Sequence, residues 1–156
     1  MRRTRVNRRT GGKRRHRHNK SHKLRQCAPI VNRKSAIVEN FIEMLNTIKL
    51  YHWNTHSYAQ HKATDELHER LSGHVDKFVE ILLGKDESRI DKLKPASALL
   101  VIKRTGEFKD QIYHYREYLT QMNKCFDPAA DSDLLNVRDE ILGDLNQFLY
   151  LMTLDK

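Results

Sequence analysis

From Ser35 to the end of the chain, apolar residues recur at intervals of three and four, the spacing that gathers side chains on one face of an α-helix. Ile37, Phe41, Met44, Leu45 and Ile48 make the first such stripe, with Ser35 placed to cap it, and His52 continues the inward face at its C-terminal end. A second helix is predicted from about Ala59 to Leu83, with Leu67, Leu71, Val75, Phe78 and Leu82 as its buried arc and Gly84 as its stop. Phe108, Ile112, Tyr115 and Leu119 mark a third, from Gly106 to Lys124, after which Asp127-Pro128 breaks the chain. Asp131 or Ser132 caps a fourth, whose core residues are Leu134, Leu135, Ile141, Leu142, Leu145, Phe148, Leu149 and Met152. The connection between the second and third helices holds Pro95 and the apolar run Ala98-Leu99-Leu100-Val101-Ile102, which suits a short crossover helix better than a structureless loop. The pattern is all-α, four long helices with a long crossover in the middle.

Residues 1–33 behave differently. They show no hydrophobic periodicity and are too charged to collapse, so they are expected to form a disordered basic arm ahead of a helical body over 34–156. Residues 1–34 hold 14 Lys or Arg and no acidic residue, whereas residues 35–156 hold 15 basic and 20 acidic ones. Arg2, Arg3, Arg5, Arg8, Arg9, Lys13, Arg14, Arg15, Arg17, Lys20, Lys23 and Arg25 are the candidate phosphate contacts. Non-specific nucleic-acid binding is the first reading, because counterion release rewards many phosphate contacts. Nuclear localisation and virion packaging are the others. Aromatic residues are absent from the arm, so base stacking and sequence specificity are not expected. Cys27 and Cys125 lack metal-knuckle spacing and predict reduced thiols in an intracellular compartment. No signal-peptide core and no membrane-length apolar run are evident.

The densest candidate chemistry lies between His52 and Glu80. With His61 at zero on a helix, Asp65 falls near 40°, Asp76 near 60° and Glu80 near 100°, while the apolar arc of the same helix lies at roughly 240° to 320°. The potential ligands therefore share a face that this helix does not bury in its own subunit. The His61/Asp65 and Asp76/Glu80 pairs are separated by roughly 22 Å along the axis. A metal held through bonds of about 2 Å cannot use both pairs from one chain. Two copies crossing antiparallel about a two-fold axis would join each half-site to the other's complement. Imidazole and carboxylate ligands suit Fe(II), with Zn(II) and Mn(II) as competitors.

His52-Trp53-Asn54, His61 and Asp65, then Asp76 and Glu80 resemble the ferroxidase segment of Dps proteins, the small DNA-protecting branch of the ferritin superfamily. The sequence GDLNQFLYLM (143–152) is similar to the C-terminal pattern of the same family. The wording of the segment and the Arg-rich terminus look like Dps-like proteins of large DNA viruses. The resemblance implies a ferritin-like four-helix bundle and self-association through a two-fold interface, as a dodecamer. It further implies that a di-iron site uses Asp76 and Glu80 of one subunit with His52, His61 and Asp65 of another. The expected activity is that of a ferroxidase, oxidising two Fe(II) per peroxide, or using oxygen. As imidazole must be neutral to ligate, that activity should fade as pH drops through about 6.5.

The chain departs from the family in two places. The loop between His52 and His61 is a few residues shorter, which would threaten the placement of either imidazole, and the arm is longer and richer in Arg. A ferritin site within one subunit is disfavoured, since no Glu-x-x-His occurs. Trp53 either takes part in electron transfer near the iron or anchors the end of the first helix. His56, His68 and His74 read as surface or interface residues, and His16, His18 and His22 as arm residues outside the iron site. The alternative function is a nucleic-acid-condensing or virion-associated protein that keeps the fold without effective ferroxidase activity.

Overall fold

The computed structural model describes residues 30–93 and 101–154, with side chains described from Lys34 onward. Its long elements are four α-helices: α1 (Ile30–Asn54), α2 (Tyr58–Gly84), α3 (Thr105–Gln121) and α4 (Ser132–Leu151), with a single 3-10 turn at Met122–Lys124 after α3. One apolar core joins them, and it contains nearly every position expected from the spacing. Leu45 and Leu142 are only partly buried and pack against its edge.

The contacts between helices set the topology. Lys34 at the start of α1 meets Asp86 just beyond α2, and Lys49 meets Asp65 near the start of α2, so α1 and α2 are antiparallel. Lys85 with Asp131, Lys77 with Glu140, and Arg70 with Gln147 make α2 and α4 antiparallel. Tyr51 stacks on Phe108 at 3.8 Å while Tyr115 donates to Thr47 at 3.0 Å, which runs α3 against α1. Lys109 donates to the Met152 carbonyl and Arg138 to that of Leu119, so α3 opposes α4 as well. The helices thus follow the order α1, α2, α4, α3 around the core. The link from α2 to α3 must travel from the Lys34 end of the molecule to the Tyr51 end. Its middle, 94–100, where the crossover helix was expected, lies outside the described residues.

Boundaries differ from expectation in instructive ways. α1 begins at Ile30, directly after Pro29 in the sequence, so Ser35 lies in its second turn and caps nothing. Helix starts tolerate a preceding proline, whose missing N–H would have had no partner there. Ser57 caps α2, its hydroxyl accepting from the Gln60 N–H, so α2 starts at Tyr58. Gly84 closes α2 in helical conformation, and the left-handed turn comes later, at Glu87 with φ of 56°. α3 ends at Gln121 because the next three residues tighten into the 3-10 turn. Asp131 precedes α4 without capping it by its side chain. That carboxylate instead accepts from the Asp127 N–H and pairs with Lys85.

The expectation of reduced thiols is corrected, since Cys125 is disulfide-bonded. A sequence shows no distance between two cysteines, and spacing alone could not reveal this. No helix among the described residues is long and apolar enough to cross a membrane.

Candidate metal centre

The α1–α2 turn is only three residues long, Thr55 to Ser57, and it folds the last turn of α1 onto the first turn of α2. His52 and His61 meet there with ring centroids 3.9 Å apart and planes inclined by 22°. The Nδ1 of His52 lies 2.9 Å from the His61 carbonyl, and the Nδ1 of His61 lies 3.0 Å from the His52 carbonyl. A carbonyl only accepts, so both rings carry the proton on Nδ1 and donate it. In the neutral form each Nε2 keeps its lone pair, the tautomer that backbone partners commonly fix in metal-binding imidazoles. His52 is 7 % exposed, whereas His61 is half-buried. The short loop has not separated the two rings.

Asp65 joins this pair one turn further along α2, its Oδ1 3.7 Å from His52 Nε2. The same oxygen lies 3.2 Å from Lys49 Nζ. The hydrogen bond from Lys49 holds the Asp65 carboxyl below the ordinary carboxylate range. Sequence reasoning did not single out Lys49, although its place one turn before His52 puts it on the same edge of α1. His68, set aside as a surface or interface residue, is half-buried, and burial pushes its imidazole pKa down, helped by the Lys49 charge.

Asp76 and Glu80 lie further along the unbroken α2 and are exposed, with no hydrogen bond or ion pair among the described residues. The buried arc of α2 is Gln60, Thr64, Leu67, Leu71, Val75, Phe78 and Leu82, so both carboxylates point away from the core. The structure therefore brings His52 beside both His61 and Asp65 and leaves Asp76 and Glu80 apart. Among the described residues, no group of three or more His, Cys, Asp or Glu side chains is placed to hold a metal within one chain.

Trp53 is 66 % exposed, with Lys49 Nζ 5.9 Å from its ring centre, and so does not anchor α1 in the core. Val38, Ile42, Leu45, Lys49 and Trp53 recur on the outer side of α1, none of them buried. His74 bridges Glu140 and Asp144 of α4 at 3.2 and 3.3 Å, an interhelix role in place of a ligand role. His56 is exposed. The arm residues Arg2, Arg3, Arg5, Arg8, Arg9, Lys13, Arg14, Arg15, Arg17, Lys20, Lys23 and Arg25 lie outside the described residues, as do His16, His18 and His22.

A family model, described as a family of unknown function (DUF5856), matches residues 52–152. The chain belongs to this family. The DUF5856 match begins at His52 itself, takes in all five candidate ligands, and leaves out the basic arm. No curated protein and no solved structure matches the chain.

Proposed function

We propose that this DUF5856 member is a ferritin-like, Dps-type protein that binds and oxidises Fe(II) at sites closed by two copies of the chain and engages DNA through its basic arm. The observation that carries the reading is the His52/His61 pair. Two stacked imidazoles, each tied through Nδ1 to the other's backbone carbonyl, leave both Nε2 lone pairs available to a metal, that of His52 beside the Asp65 carboxylate. The helix order α1, α2, α4, α3, with all neighbours antiparallel and a long α2–α3 link, supports the bundle assignment.

Iron is the substrate in this scheme. His52, His61 and Asp65 of one chain meet Asp76 and Glu80 of a second, and the carboxylates balance the ferric charge. Peroxide takes two electrons from two Fe(II), one from each, and leaves as water after gaining two protons, so hydroxyl radical is not released. The exposed Trp53 and the outer α1 stripe of Val38, Ile42 and Leu45 supply apolar area beside the half-sites for a two-fold contact. Assembly to a dodecamer, occupancy by Zn(II) or Mn(II) in competition with iron, and a nuclear or virion setting belong to the same proposal.

Oxidation kinetics test it. Wild type should oxidise Fe(II) with peroxide faster than the Asp76→Ala/Glu80→Ala variant by at least an order of magnitude; equal rates would remove the ferroxidase assignment.

A second reading is favoured by the Lys49 ammonium on Asp65, which fills with a fixed cation the place a metal would take. In it the protein condenses nucleic acid and keeps the fold without turnover. It predicts salt-sensitive DNA binding together with no metal uptake by either wild type or a Lys49 variant.

A further inference from the structure

We propose that Tyr51 and Gln60 are positioning residues for the imidazole pair: the hydrogen bond between their side chains sets the start of α2 against the end of α1, and so keeps the Nε2 atoms of His52 and His61 unprotonated and open to a metal. The inference rests on the half-site of the proposed function for its metal readout, and on the hydrogen bonds of the α1–α2 turn for the rest.

Each imidazole directly follows one of these residues in sequence, His52 after Tyr51 and His61 after Gln60. Tyr51 and Gln60 are buried, and the Tyr51 hydroxyl donates to Gln60 Oε1. Their bond is therefore the inward counterpart of the His52/His61 stack, about 100° around each helix. Neighbours on a rigid helix move together, so a slip between Tyr51 and Gln60 is passed on to the rings. The margin is small. The two Nδ1–carbonyl contacts are 2.9 and 3.0 Å long, and such bonds weaken beyond about 3.2 Å.

Gln60 gathers the rest of the turn as well. Its Oε1 accepts from the Thr55 hydroxyl at 3.1 Å. The hydroxyl of Thr105, the first residue of α3, lies 3.0 Å from the Tyr51 oxygen and 3.4 Å from Gln60 Oε1. The Gln60 carbonyl accepts from the Thr64 hydroxyl at 2.7 Å. Thr64 is fully buried, and its proton is directed at backbone carbonyls, those of Gln60 and His61. Toward His52 Nδ1, 3.4 Å away, it therefore presents a lone pair, which again selects the Nδ1–H form. With an aliphatic side chain in place of Gln60, the Tyr51 hydroxyl would lose its nearest acceptor inside the core, and the turn would move to satisfy it.

The test uses full-length, isotope-labelled protein at mildly alkaline pH, where imidazoles are neutral. Long-range proton–nitrogen NMR of the metal-free chain reads the tautomers, and wild type should carry the proton on Nδ1 of both His52 and His61. Gln60→Met and Tyr51→Phe should each admit the Nε2–H form. They should also weaken Zn(II) binding, measured by calorimetry, about tenfold, the low end of the usual cost of losing an outer support of a ligand. Thr55→Val, the mildest change should the buried ones prevent folding, should act in the same direction. Ile141→Val trims the core on α4 and should lower the unfolding midpoint while leaving tautomers and affinity as in wild type. Mixed tautomers in wild type, Nδ1–H rings retained in all the turn variants, or an equal loss in Ile141→Val would overturn the positioning role. Tautomers that shift as expected in a protein that never binds Zn(II) would uphold the positioning and remove the metal reading of the site.

Discussion

The Asp65 carboxylate shows how one neighbour decides what a residue can do. Its hydrogen bond from Lys49 favours the ionised form and at the same time competes with any metal for Oδ1. Replacing Lys49 by Met removes a positive charge from the half-site. Under the ferroxidase reading, Zn(II) affinity followed by calorimetry should rise several-fold, whereas affinity equal to wild type would mean that Lys49 yields freely to metal. Asp86 offers a cleaner case in acid. Lys34 and then Ser88 hydrogen-bond its carboxylate and hold its pKa at about 2 against 3.8 in the unfolded chain. A depressed folded pKa contributes stability that is complete above 3.8 and lost as pH falls from there toward 2. Urea unfolding at stepped pH should show that Asp86→Asn flattens this acid limb. The Asp86 carboxylate is largely exposed, so the effect should be small and weakened by salt. His52 was legible in the sequence because it continues a helical stripe. Lys49 was not, because nothing in a sequence says which of several polar neighbours will fold back onto a carboxylate. Arg138 escaped notice for a related reason: it is buried to 5 % exposure, and besides its neighbour Asp139 its partners are the Leu119 carbonyl at the end of α3 and Asn123 in the 3-10 turn that follows.

At the scale of elements, periodicity proved a better guide to faces than to ends. The predicted arcs of α2, α3 and α4 are buried almost residue for residue, since a stripe averages over many turns. An end depends on one or two local contacts, and there the candidates misled: Ser35 is an interior residue of α1, whereas the working cap is Ser57. Ser57→Ala should cost about 1 kcal/mol, the usual worth of a side-chain cap. Chemical denaturation of the variant would show it as a lower midpoint with an unchanged slope; no shift would mean that the short turn, and not the hydroxyl, fixes the start of α2. The half-sites were legible as faces of α2, but the His52/His61 stacking was not, because it depends on how tightly a three-residue turn closes.

For the whole molecule, the start of α1 and the His52 cluster lie at opposite ends. α1 runs from Ile30 to Asn54, so roughly 33 Å of helix separates its start from His52. Under the proposed function, DNA affinity and iron chemistry should therefore be separable. Removing residues 1–26 should abolish DNA binding measured by fluorescence anisotropy while leaving Fe(II) oxidation rates intact. In the full chain, affinity should fall steeply and log-linearly with salt. Undiminished binding by the truncated protein would move the nucleic-acid surface to the body.

The unbroken helix α2 also limits how this protein can change in length. Asp76 lies eleven positions after Asp65, about three turns, which keeps both on one face. A single inserted residue between them would turn the second carboxylate pair by about 100°. An insertion of seven would restore the face but slide that pair about 10 Å along the axis, out of step with a partner's imidazoles. Under the proposed two-chain metal site, a one-residue insertion in this stretch should therefore abolish metal binding.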